Sequence, residues 1–105
     1  MDQITLKDGR VCRVEVNWNA IVAFLESTGR DDISALANLS LLKPSDMSGL
    51  LAAACNEGAR LDGKQERLTA EEVGTLADVA VMAEFISIFT KQTKPKGAAP
   101  GEKKG

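Results

Sequence analysis

A chain of 105 residues with 44% apolar content and a net charge of −2 has enough apolar material to bury one core without a disulfide or metal to hold it together. The lysines that could suggest a nucleic-acid surface (Lys91, Lys94, Lys96, Lys103, Lys104) crowd at the C-terminal end and leave an acidic body, which argues against nucleic acid as the partner. No apolar run approaches the length of about 18 residues that a membrane span needs, and the lack of any histidine removes the commonest general base and metal ligand.

The chain starts Met1-Asp2-Gln3, without the basic and then apolar segments of a secretory signal, so the expected location is the cytoplasm. Residues 3–7 and 11–16 alternate, with Ile4, Leu6, Cys12, Val14 and Val16 on one face. A two-residue Asp8-Gly9 loop would set Ile4 opposite Arg13 and mix the faces. A three-residue loop, Lys7-Asp8-Gly9 with Gly9 left-handed, sets Leu6 opposite Arg10 and Ile4 opposite Cys12, and is the expected hairpin. Such a ribbon is marginal alone, so its apolar face must lie on helices.

Asn17 is placed to cap a helix that Gly29 stops, with Trp18, Ile21, Val22 and Leu25 as its expected inward stripe. Asp31 or Asp32 can cap a short second helix carrying Ile33, Leu36 and Ala37. Pro44-Ser45-Asp46 opens a third helix over about 45–58, with Met47, Leu50, Leu51 and Ala54 on one face and small residues that admit a close neighbour. A polar link follows with Leu61 as its anchor. Thr69 and Glu72 have capping-box spacing, and a break near Gly74 or Asp78 separates a short fourth helix from a longer fifth, whose stripe is Val79, Met82, Phe85, Ile86 and Phe89. The fold class expected is therefore mainly α (α+β): one domain over 1–92, with an N-terminal hairpin and about four to five helices, followed by a disordered Lys/Gly/Pro tail over 93–105. The expected core comprises Ile4, Leu6, Val14, Ile21, Leu25, Leu50, Leu76, Met82 and Phe85.

No chemistry-bearing constellation emerges. Cys12 and Cys55 have no metal-like spacing and read as small buried hydrophobes. A calcium loop starting at Asp62 would place Lys64, Glu66 and Arg67 where oxygen ligands and the turn glycine belong. Asp31-Asp32 and Glu71-Glu72 sit at helix starts, where the helix dipole favours negative charge. The expectation is a non-enzyme with no cofactor and no metal, working through its surface. Phe24, Leu41, Leu42, Val81 and Ile88 fall off the main apolar stripes and are the expected partner-binding residues, with Leu42 and Ile88 foremost because polar residues flank each.

The order of several short motifs resembles tail assembly chaperones of long-tailed phages, prophages and gene-transfer agents. These motifs are Asp8-Gly9-Arg10 in the ribbon, Leu25-Glu26-Ser27-Thr28-Gly29-Arg30 closing the first helix, the alanine-rich helix after Pro44-Ser45-Asp46, and Leu68-Thr69-Ala70-Glu71-Glu72-Val73-Gly74 before an apolar last helix. The likeness spans about residues 4–91. It implies an assembly factor that binds the tape measure protein, keeps its long apolar helices soluble, helps recruit the tail tube protein, and acts in the host cytoplasm without entering the mature virion. Self-association is another use of the same apolar surface. The competing class is a small helical head-tail connector or other prophage structural protein, an integral ring subunit rather than a transient binder.

Overall fold

The computed structural model describes residues 2–31, 33–39 and 42–93; the tail from Lys94 onward, Asp32 and Leu41 lie outside these. Two strands, β1 (Gln3–Thr5) and β2 (Val11–Arg13), precede four α-helices: α1 (Trp18–Thr28), α2 (Pro44–Leu61), α3 (Ala70–Leu76) and α4 (Val79–Gln92). A 3-10 turn, Ile33–Ala37, stands where the short second helix was expected.

The hairpin has the bulged register. Ile4 pairs with Cys12, the Leu6 N–H donates to the Arg10 carbonyl at 2.8 Å, and Gly9 takes φ 88°, a left-handed value that would strain a side-chain-bearing residue. Ile4, Leu6, Val14 and Val16 are buried, and Cys12 is half-buried.

The caps also follow local chemistry. Asn17 Oδ1 accepts from the Ala20 N–H at 3.0 Å, and Gly29 closes α1 at φ 71°. Thr69 and Glu72 form a reciprocal capping box, and Asp78 Oδ1 accepts from the Val81 N–H at 2.9 Å. Extended backbone at Ala77 makes the break between α3 and α4.

Helix α2 is the centre of the fold. It packs against α1, α3 and β2 and is buried almost all round from Met47 to Gly58, well beyond the single face expected of it. Its small residues let neighbours sink in: Phe24 and Thr28 of α1 lie over Gly49, where an added Cβ would stand 3.8 Å from Phe24 Cδ1 and 3.2 Å from Thr28 Cγ2. That seat decides the rotation of α1. Ala20 and Phe24 point inward, Ile21 and Leu25 are half-buried, and Trp18 and Val22 are exposed, so the expected stripe is off by about one position. Helix α4 shows the same offset. Its buried positions are Val81, Phe85, Ile88 and Phe89, while Val79 and Ile86 are exposed. Of the nine expected core residues, Ile4, Leu6, Val14, Leu50 and Phe85 are buried, and Ile21, Leu25, Leu76 and Met82 are half-buried.

Polar side chains lock the elements together. Gln92, near the end of α4, accepts from the Val16 N–H at 2.7 Å and donates to the Val14 carbonyl and to Asp2, each at 2.9 Å. Gln92 and then Lys91 hold the Asp2 carboxyl below its ordinary pKa. Asn56 grips the backbone of Leu68 from both sides, donating at 2.8 Å and accepting at 2.6 Å. Buried Leu68 is thus the anchor of the link, and Leu61, expected in that role, is exposed.

Candidate functional site

The first half of α2, α3 and the first turn of α4 meet around an open groove of about 420 Å³. Its walls are mostly apolar: Leu42, Met47, Val73, Ala77 and Met82, with Val79 projecting at 86% exposure. The groove exists because α3 is short. Extended Ala77 and the Asp78 cap separate α3 from α4, and both residues line the groove together with Leu42 and Met47. Two unbranched methionines in its wall suit a surface that accepts varied apolar side chains. Ser48 and Asp78 supply the more polar edges.

The residues selected from sequence fall differently. Leu42 lines this groove, though only 8% of it is exposed. Phe24 is fully buried over Gly49, and Val81 and Ile88, each 9% exposed, lie on the inward stripe of α4, outside the lining of this groove. They were singled out because α1 and α4 are apolar over much of their circumference, and the side taken as outward is the one tertiary packing covers. Leu41 lies outside the described residues. Among the described residues the exposed large apolar side chains are instead Val11, Trp18, Val22, Ile33, Leu61, Val79 and Ile86. Val79 and Ile86 are the two members of the expected α4 stripe that face solvent. A single signal could have found Val79: it directly follows the Asp78 cap, at the first helical position, where a side chain is half out of the helix packing.

No family model, curated protein or solved structure matches this chain. Its surface chemistry must therefore be read from its own residues. Among the described residues no group of three Cys, Asp or Glu side chains could hold a metal ion, and no helix is long and apolar enough to cross a membrane. Glu57, the one buried charged residue among the described residues, is fully engaged. Arg60 donates to both of its oxygens at 2.8 and 2.7 Å, and Asn17 donates to Oε2 at 2.6 Å. The Arg60 hydrogen bonds, aided by Asn17 and Asn19, outweigh burial and hold the Glu57 carboxyl at about pKa 2. A carboxylate so satisfied is a clasp between α1 and α2, and cannot serve as a base.

Proposed function

We propose that this chain is a tail assembly chaperone of the phage type, and that it binds an amphipathic helical segment of a tape measure protein in the groove between α2, α3 and α4. The observation that carries this reading is the groove itself: an apolar trough walled by Leu42, Met47, Val73 and Met82 with Val79 uncovered on its rim. Such a trough suits helix-in-groove recognition, in which a few apolar anchors supply most of the binding energy. The order of motifs that resembles the chaperone family supports the same reading. Its Leu68–Gly74 motif forms the α3 wall of the groove and the capped turn before it.

In this role the chain shields apolar helices of the tape measure protein in the host cytoplasm until tail tube subunits cover them. Binding of purified chain to tape measure segments, followed by calorimetry, tests the site. Val79→Asp should weaken binding at least about tenfold while leaving the melt unchanged, since Val79 is 86% exposed. Trp18→Asp, at the exposed start of α1 and outside the groove lining, should change binding little. Equal affinity of the Val79→Asp variant would move the site elsewhere.

A further inference from the structure

Strand β2 and helix α2 meet more closely than side chains would normally allow. An added Cβ on Gly58 would lie 2.2 Å from the Arg13 carbonyl oxygen, so the strand backbone rests directly on the helix. The Glu15 N–H also donates to the Ala54 carbonyl at 3.2 Å. This contact brings Cys12, one residue before Arg13, beside Cys55, one turn before Gly58. Both cysteines are free thiols, and both line one cavity of about 40 Å³ between the strand and the helix. Cys12 is half-buried at the cavity's strand wall, and Cys55 is buried behind it.

We infer that Cys12 and Cys55 are a peroxide-reactive thiol pair that closes to a reversible intramolecular disulfide, fastening the N-terminal hairpin to the central helix. The space fits the oxidant. A cavity of about 40 Å³ has room to admit a small oxidant such as hydrogen peroxide. Cys12 is the attacking thiol because it is the reachable one and because its neighbours favour the thiolate. The adjoining Cys55 thiol, and secondarily Arg10, lower its pKa below the ordinary thiol value against the opposing effects of burial, Asp8 and Glu66. The same interaction together with burial pushes the Cys55 thiol up, so Cys55 stays protonated and donates to its partner.

The chemistry balances in two steps. The Cys12 thiolate attacks one peroxide oxygen, the O–O bond breaks, and hydroxide leaves, giving a sulfenic acid. The Cys55 sulfur then attacks the Cys12 sulfur. Its S–H proton goes to the departing oxygen, the S–O bond breaks, and water is released as the disulfide forms. A dithiol reductant reverses the bond by exchange. The cross-link joins residues distant in sequence, which removes freedom from the unfolded chain and raises the melting temperature.

The test is to treat the folded chain with hydrogen peroxide, alkylate the remaining thiols, and measure intact mass and thermal melting. The expected product is a monomer that has lost two hydrogen atoms and both alkylatable thiols, and melts at least about 5 °C higher, with full reversal by a dithiol reductant. In Cys55→Ser, Cys12 should be trapped by dimedone as the sulfenic acid, whereas in Cys12→Ser the buried Cys55 should survive the same dose unmodified. Two alkylatable thiols in the treated wild-type chain, a disulfide-linked dimer as the main product, or oxidation of Cys55 in the Cys12→Ser variant would overturn the inference.

Discussion

Gly58→Ala should destabilise the protein although alanine is the better helix former. An alanine Cβ at residue 58 would meet the Arg13 carbonyl oxygen at 2.2 Å, the Arg13 carbonyl carbon at 2.8 Å and Arg13 Cβ at 3.0 Å. Two of these are backbone atoms of a paired strand, so no flexible side-chain end can swing aside. An ordinary carbon–oxygen contact is about 3.3 Å or longer, so β2 must recede by about 1 Å from α2. That retreat stretches the hydrogen bond from the Glu15 N–H to the Ala54 carbonyl, already 3.2 Å long, and loosens Val14 and Cys55 from their neighbours. Overpacking of this kind costs about 1–3 kcal/mol and the weakened hydrogen bond about 1 more, against about 1 kcal/mol gained in helix propensity. The net is about 2 kcal/mol of destabilisation, or a fall of roughly 10 °C in melting temperature. Gly74→Ala is the control. It lies in α3 with nothing within 4 Å of an added Cβ, so the propensity gain of about 0.5–1 kcal/mol stands alone and the protein becomes more stable. Urea melts of the two variants should therefore move in opposite directions. A Gly58→Ala protein as stable as wild type, or a shift of the same sign in both, would refute the close packing of β2 on α2.

Gln92→Ala strips the buried Val16 N–H and the Val14 carbonyl of their partner and should cost about 1–3 kcal/mol in chemical denaturation. Phe24→Ala should cost about 3–5 kcal/mol as a fully buried aromatic, and more than Leu25→Ala, which removes a half-buried side chain; equal losses would contradict the rotation assigned to α1. Glu57 sets an acid limit. Its folded pKa of about 2 lies below the ordinary 4.5, so its contribution is fully present above about pH 4.5 and is lost as pH falls toward 2. That contribution is at most about 3 kcal/mol, trimmed to about 2 by solvent around the half-exposed Arg60. Glu57→Gln should flatten the stability profile across that window, and an unchanged acid limb would show that the clasp does not form.

Features decided by neighbouring residues were legible in the sequence, and features decided by distant ones were not. The hairpin register followed from keeping even-numbered apolar residues on one face, and the caps at Asn17 and Thr69 follow from side-chain oxygens one turn ahead of free N–H groups. The rotations of α1 and α4 were not recoverable in this way. Both helices carry apolar residues over most of their surface, so periodicity offers several nearly equal faces. The choice between them rests on Gly49 of α2, which gives Phe24 a seat, and on Gln92, which ties α4 to the strands. The candidate site inherits that ambiguity. Leu42 reaches the groove through the turn preceding Pro44, whereas Phe24, Val81 and Ile88 were drawn into the core by the rotations just described. The meeting of Cys12 with Cys55 was equally hidden, because it depends on Gly58 admitting a strand from the other end of the domain.

The proposed role is met most directly by co-expressing the chain with a phage tape measure protein and measuring the soluble fraction of that partner. The wild-type chain should raise the soluble fraction severalfold and co-purify with the partner, and Val79→Asp should lose most of that effect while remaining folded. A tape measure protein that is no more soluble with the wild-type chain than without it would contradict the chaperone reading.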